Sequence, residues 1–480
     1  MRASWSWHSC LTFTLLAFFV IGSVNSAEIP ERPNVIYILA DDLGYTDLAC
    51  FGSQYYETPQ LDQMAREGLR MTSAYTCGPN CQPTRAALMS GQYGVRTGIY
   101  TVGNIDRFDW QSRPLRPVDN LIQMPLDRTL LPQAFKSRDY ATGIFGKWHL
   151  GEEGGHHPLK RGFDEGFVSA GKHFDFATRP PQDVPAGSYL ADYLTDRAIE
   201  FIRHHQAEPF FLYLPHFGVH GPLQAKPELI ERFKQKPSHG GHRDPVYAAM
   251  IYSVDESVGR IRAALRELKL EQKTLVVFTS DNGGVGGYAR EKIQSGLVST
   301  DNIPLRGGKG MLYEGGIRVP YIAEWPGVVP QGAASDEPIN SVDLYPTLLE
   351  VVHAKPAQGQ LLDGTSYLPF LLGQTKTKER PPLYWHFPGY LGASNNTWRT
   401  TPAGAIRWGD WKLIEFFEDD RRELYNLRND LSEKEDLATV FPDRVETLYG
   451  LLQTWRQETK APFPTKNTNR LPPRATRSEE

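Results

Sequence analysis

Asn34-Val35-Ile36-Tyr37-Ile38-Leu39-Ala40-Asp41-Asp42 is the stretch that decides the fold class of this chain. From Val35 to Ala40 it is unbroken apolar sequence, rich in branched side chains and without polar alternation, the pattern of a strand buried on both faces. It stops at two aspartates. Leu275-Val276-Val277-Phe278-Thr279-Ser280 has the same character and stops at Asp281-Asn282, while Phe210-Phe211-Leu212-Tyr213-Leu214 ends near His216 and His220. Three buried strands thus deliver polar residues at their C-terminal ends, where open parallel sheets place ligand sites. Helical stretches at 60–68, 84–90, 189–205, 247–268 and 343–352 alternate with them. That alternation predicts an α/β fold with a large mixed, mainly parallel sheet sandwiched by helices. Past Lys376 the composition shifts to short strand-like pieces such as residues 411–415 and a closing helix over 443–458. The expected organisation is an α/β unit over 27–375, a smaller C-terminal α+β subdomain over 376–463, and a tail over 464–480 with little to bury, expected to be disordered.

With 480 residues, 40% hydrophobic and 22% charged, the chain has the composition of a globular protein with one large core and a smaller appended unit. A net charge of -4 provides no global basic field, and no local basic patch stands out, so nucleic acid is not an expected partner. Arg2, the apolar stretch from Leu11 to Ile21 and the small residues from Gly22 to Ala27 read as a signal peptide over 1–26, hence export to a periplasmic or extracellular space. The apolar run falls short of the roughly 20 residues a spanning helix needs, and no later stretch does better, so no stable membrane insertion is expected after cleavage. Cys10 precedes the apolar run, which leaves Cys50, Cys77 and Cys81 in the processed chain. An odd count in an exported protein flags a cysteine with a special fate. A Cys77–Cys81 disulfide or metal pair is the plain reading of that spacing, although the two alone lack the second ligand pair of a structural zinc site, and whether Cys50 and Cys77 pair is open.

The special cysteine stands in Cys81-Gln82-Pro83-Thr84-Arg85, followed by Ala86-Ala87-Leu88-Met89-Ser90-Gly91. Together with Asp41-Asp42, Gly146-Lys147-Trp148-His149-Leu150-Gly151, His220-Gly221-Pro222, Asp281-Asn282 and Arg306-Gly307-Gly308-Lys309-Gly310, it resembles the sulfatase family, of alkaline-phosphatase-like fold, from about Pro33 to about Ala438. The resemblance implies that Cys81 is oxidised to formylglycine by a formylglycine-generating enzyme, and that its hydrated aldehyde is the nucleophile of sulfate ester hydrolysis. Gln82 replaces the usual Ser or Thr of that motif and Thr84 the usual Ser; neither change removes a reacting atom. Sulfate esters are anionic and hydrolyse slowly, so a catalyst needs a nucleophile, cations for the sulfuryl oxygens and an acid for the leaving alcohol. By the resemblance Arg85 holds the hydrate, Lys147 and Lys309 bind sulfate, His149 bonds the hydrate and takes up its proton, and His220 protonates the leaving oxygen. His216 reads as a supporting residue, and Glu314 with Arg318 as an internal ion pair.

Asp41, Asp42, Asp281 and Asn282 supply hard oxygen ligands without zinc-type partners, which suits Ca²⁺ or Mg²⁺. Either pair alone would read as turn chemistry. Two pairs, each directly after a buried strand, point to a metal, and the resemblance implies one Ca²⁺ per chain with the modified Cys81 completing the ligand set. Candidate specificity loops are residues 104–127 with Trp110 and Arg113, 173–179, and 390–399 with Trp398, since aromatic and Arg side chains suit a sulfated saccharide. Asn395-Asn396-Thr397 is a formal glycosylation sequon. Two other functions fit the same residues: a phosphonate or phosphodiester hydrolase of the same superfamily, and a glycan-binding protein whose cysteine is never modified.

Overall fold

The computed structural model describes Met1 and residues 29–293, 298–374, 380–392 and 397–472. The expected signal peptide lies outside the described residues, as do Asn395 and Asn396 of the sequon.

An eight-stranded sheet forms the centre, in the order Ala333–Ser335, Leu69–Met71, Tyr321–Glu324, Thr274–Ser280, Asn34–Ala40, Phe210–Pro215, Ala141–Gly146, Glu165–Val168. Only Tyr321–Glu324 runs against its neighbours. The predicted mixed, mainly parallel sheet is thus found. The central strand shows why its sequence is apolar throughout. Val35, Tyr37 and Leu39 face one core, with Leu88 and Met89 of helix Cys81–Ser90 and Leu348 of helix Leu344–Val351. Ile36, Ile38 and Ala40 face the other, with Leu61 and Met64 of helix Pro59–Glu67, Leu194 and Phe201 of helix Leu190–His204, and Val254 and Val258 of helix Pro245–Glu267. Asp244 fixes the start of the last helix, accepting from the backbone N–H of Val246 at 2.8 Å and of Tyr247 at 3.0 Å. Among the described residues no helix is long and apolar enough to cross a membrane.

The register levels the strand ends. Leu39 pairs with both Thr279 and Pro215, so Asp41, Asp281 and His216 leave the sheet side by side. Gly146 ends the neighbouring strand at φ 129°, where a Cβ would lie 2.0 Å from Pro215 O. Only glycine allows that approach, and it places Lys147 at the same level, with Lys147 N–H donating to Pro215 O at 2.8 Å.

Leu383–Phe387, Ala403–Trp408, Trp411–Phe416 and Arg422–Asn426 form the antiparallel sheet of the C-terminal unit, with helix Pro442–Thr459 packed on it. This unit shares apolar core with the main one, through Trp385, Phe387 and Tyr425 against Tyr75, Met311 and Ile317. A buried ionic cluster joins them too. Lys412 Nζ bridges Glu314 at 2.9 Å and Glu433 at 2.8 Å, while Glu314 also meets Arg318 at 3.0 Å and the Tyr75 hydroxyl at 2.7 Å. Glu314 and Arg318 are therefore an ion pair, as expected, but one arm of a larger joint. Removing Lys412 would leave two buried carboxylates short of a cation. We expect Lys412→Met to cost about 3–5 kcal/mol, measured by urea unfolding; a loss below about 1 kcal/mol would mean that the pairs are not bearing on stability.

The described part of the tail corrects the expectation for those residues, while residues 473–480 lie outside the described residues. Residues 464–472 are not free chain: Thr465 and Lys466 pair with Arg116 and Leu115, and the Asn467 amide donates to Gln111 O at 3.0 Å and Arg113 O at 2.9 Å. Composition missed this because the segment is held by hydrogen bonds rather than by buried apolar side chains.

Candidate active site

Cys81 opens helix Cys81–Ser90, is 2% exposed, and sits where unpaired helix N–H groups favour an anion. One atom each from Asp41, Cys81 and Asp281 lie within 4.8 Å of one another. Arg85, one turn along, turns its guanidinium under this cluster. Its Nε donates to Asp281 at 2.9 Å, its Nη1 to Lys147 O at 2.5 Å, and its Nη2 lies 3.6 Å from Asp41. Lys147 donates to Asp41 at 2.5 Å, and Lys309 lies 2.6 Å from Asp42. The Asn282 amide N donates to Asp42 at 2.8 Å, and His220 Nε2 is 3.6 Å from Asp42. Residues from six separate segments thus converge.

Burial opposes ionisation of Asp41, but the charges of Lys147, His220, Arg85 and Lys309 outweigh it and hold the carboxyl well below the usual carboxylate range. Burial and the adjacent Asp41 charge push Asp281 up to about 7 against the pull of Arg85. The two carboxyls compete for the same positive charge. Burial raises the Cys81 thiol, with Lys147 and Lys309 acting the other way. His149 is driven well below its ordinary value by burial and then by Lys147 and Arg85, so its imidazole is neutral, with a buried Nδ1 that has no hydrogen-bond partner among the described residues. Its backbone is left-handed, φ 64°, and that of Asp42 is too, at φ 66°. Non-glycine residues seldom adopt this conformation, and surrounding structure must hold it.

The metal reading can be tested on the donors themselves. Asp41 Oδ1 and Asn282 Oδ1 are buried oxygens with no hydrogen-bond partner among the described residues, and they belong to the two expected pairs. Buried acceptors are rarely left bare. Two such oxygens beside ionised carboxylates, with no ring nitrogen in the Asp41, Cys81, Asp281 set, fit a hard divalent cation. Cys81, the third member of that set, offers a thiol sulfur rather than an oxygen.

His220 Nδ1 lies 2.7 Å from Gly221 O. A carbonyl only accepts, so Nδ1 carries a proton and Nε2 is the nitrogen turned toward Asp42. The His220 side chain is 32% exposed, more open than those of Lys309, Lys147, Asp41 and Asp42, as suits a group meeting a departing alcohol. His173, from a predicted specificity loop, instead braces it: His173 Nε2 is 2.8 Å from His220 O. His216 is fully buried against Ser257 at 2.9 Å, and burial lowers it to about 4. It supports the strand end and is remote from protonation chemistry. Cys50 and Cys77 are free thiols. Trp110 bonds back to Asp106 on its own loop at 3.1 Å.

Sequence reasoning missed the brace beneath Asp42. Asp47 accepts from Gly44 N–H and from the Tyr247 hydroxyl, both at 2.7 Å, and from the Thr300 hydroxyl at 2.7 Å; the same Tyr247 hydroxyl lies 3.2 Å from Asp42 O. Gly44 and Asp47, three apart just after Asp42, are a turn signal, but it does not name Tyr247.

Known proteins resemble this chain along most of its length. The Sulfatase family model matches residues 33–354, and the model described as N-sulphoglucosamine sulphohydrolase, C-terminal, matches 308–449. N-acetylgalactosamine-6-sulfatase of Sus scrofa is 34% identical over 446 residues, covering 88% of this chain and 79% of the relative. A sulfatase of Formosa agariphila is 30% identical, with 95% of each chain covered. The solved structure of Ps i-CgsB in complex with k-i-k-neocarrahexaose superposes with a TM-score of 0.74 at 29% identity, covering 92% of this chain and 94% of that one.

Proposed function

Starting from the fact that this chain belongs to the sulfatase family and is a sulfuric ester hydrolase, we propose that it is exported and removes sulfate from a sulfated saccharide, using formylglycine made from Cys81 and one Ca²⁺. The observation that carries the reading is the convergence of Asp41, Cys81 and Asp281 within 4.8 Å, with two bare buried oxygens and three cations around them. The saccharide is supported by the names of its relatives, an N-acetylgalactosamine-6-sulfatase and a protein solved in complex with k-i-k-neocarrahexaose.

Hydrated formylglycine at position 81 would supply two hydroxyls on one carbon, a nucleophile for sulfur and a second group for the release of sulfate. Calcium would be held by Asp41, Asp42, Asp281 and Asn282 beside residue 81, supplying fixed positive charge for sulfate and hydrate oxygens. The chain's own groups do the remainder. Arg85, locked to Asp281, keeps the oxygen on residue 81 oriented without titrating. Lys147, beside Asp41, and Lys309, beside Asp42, neutralise the sulfuryl oxygens. Neutral His149 takes the hydrate proton. His220 acts in its doubly protonated form, which burial opposes and the Asp42 and Asp41 charges favour: Nδ1–H stays on Gly221 O, and the Nε2 proton at the partly open edge goes to the leaving alcohol oxygen.

The test is release of free sulfate from a panel of defined sulfated saccharides, with mass spectrometry of the Cys81 peptide. Sulfate release from none of them, or from 4-nitrophenyl sulfate, would overturn the reading. The metal has its own test. Chelation should lower both turnover and the thermal midpoint, and Ca²⁺ should restore both, by about 2.7 kcal/mol at a hundredfold excess over its dissociation constant. Asp281→Ala should show no calcium-dependent shift. A midpoint indifferent to chelator in the native protein would exclude the site.

A further inference from the structure

The loops expected to set specificity form a second constellation that the reaction does not use. Arg113 makes a two-pronged contact with Glu418, Nε to Oε1 at 3.2 Å and Nη2 to Oε2 at 2.5 Å, and the Tyr390 hydroxyl donates to Oε1 at 2.6 Å. The Trp398 ring lies 5.2 Å from the Tyr390 ring, with the Arg113 guanidinium 5.5 Å from the first and 5.8 Å from the second. Three members of the cluster are reachable from solvent, since the Arg113 and Glu418 side chains are 25% and 14% exposed and Trp398 is half-buried, while Tyr390 is buried.

Its position ties it to the active site. Trp398 lies opposite Gly392 in the hairpin formed by Leu391–Gly392 and Trp398–Thr400. Leu391 packs on Gly310, the residue after Lys309; a Cβ on Gly310, at φ 94°, would lie 2.2 Å from Leu391 Cδ2. The segment carrying Arg113 is held from the other side by the tail, through Asn467 to Gln111 O and Arg113 O and through Arg470 to Ser112 O at 2.6 Å. A loop with almost no apolar burial is thereby fixed at both edges.

Resting on the sulfatase reading, we propose that Trp398, Tyr390, Arg113 and Glu418 form a subsite for an uncharged sugar ring next to the sulfated one in the substrate chain. Charge decides the ligand. Glu418 neutralises Arg113, so the cluster has little pull on a second sulfate or a carboxylate. What it presents is a partly exposed aromatic surface beside a rigid donor and acceptor pair, matching the C–H face and neighbouring hydroxyls of a neutral pyranose.

The experiment compares kcat/KM on the best monosaccharide ester found in the sulfate-release panel with oligosaccharides carrying the same ester, flanked by either a neutral sugar or a uronate. The native enzyme should favour the neutral-flanked chain. Trp398→Ala should raise KM for that chain about tenfold, the scale of an aromatic contact, and leave the monosaccharide ester within about twofold. Glu418→Gln frees the Arg113 charge and should shift preference toward the uronate-flanked chain, which a merely structural role would not do. Asn467→Ala should move the neutral-flanked KM the same way as Trp398→Ala. Equal losses on monosaccharide and chain in the Trp398 variant, native preference for the monosaccharide, or no shift in Glu418→Gln would each overturn the subsite. Sulfate would still be released in all three, which separates this failure from failure of the sulfatase reading.

Discussion

Cys81→Ala should turn over sulfate esters at least about 10⁴-fold more slowly than the native enzyme, the scale seen when a catalytic nucleophile is removed, while its thermal midpoint stays near the native value. The fold should survive because the surrounding frame does not hang on the thiol: Arg85 bonds Asp281 and Lys147 O, and Lys147 bonds Asp41. Cys81→Ser is the sharper variant. A serine oxygen can attack sulfur and release the alcohol, but the sulfate then stays esterified to it, because no second hydroxyl remains on the same carbon to drive C–O cleavage. The expected result is one equivalent of alcohol per protein, no free sulfate, and a mass increase on the peptide containing residue 81. Repeated turnover by the serine variant, or full native activity with Cys81 entirely as thiol, would refute the hydrate mechanism.

How much of this was legible follows from where each contact is encoded. The central strand was readable because both faces of Val35–Ala40 meet apolar cores, leaving no ambiguity of period. Ala141–Gly146 was not. Two of its six residues are glycines, Gly146 required by the backbone of the next strand and Gly143 by the Phe201 ring of helix Leu190–His204, and they erase the apolar signal. Tyr321–Glu324 is short and runs antiparallel, and no local pattern states direction. The core site residues were legible because each sits at a strand end or in a glycine-flanked turn, where chemistry rather than packing selects the side chain. Asp47 and Tyr247 were not, since their bond spans 200 positions. The joint through Lys412 was hidden for the same reason: a lysine inside a strand pattern reads as a solvated edge residue, yet this one is 0% exposed. The tail failed in the opposite sense, its polar composition masking backbone pairing with residues 115 and 116.

His220→Ala distinguishes proton donation from sulfate binding. The loss of a general acid matters in proportion to how badly the leaving oxygen needs a proton in the transition state. A sugar alkoxide leaves poorly; 4-nitrophenolate leaves well unaided. His220→Ala should therefore slow release from a sugar sulfate by roughly 10²- to 10⁴-fold, the usual worth of general acid catalysis, and cost far less with 4-nitrophenyl sulfate when ester cleavage limits the rate. The geometry supports this asymmetry, since Nε2 stands at the partly exposed edge near Asp42 while Nδ1 is occupied by Gly221 O. Lys147→Ala should penalise both esters, because Lys147 lies on the buried side of the cluster, where only the sulfate common to the two would reach it. Sulfate release from both esters, followed in single-turnover mode, makes the comparison. Equal losses for the two substrates in the His220 variant would assign His220 to sulfate positioning. The acid would then have to be Lys309, whose ammonium also contacts Asp42, since His216 is sealed against Ser257 behind the strand end.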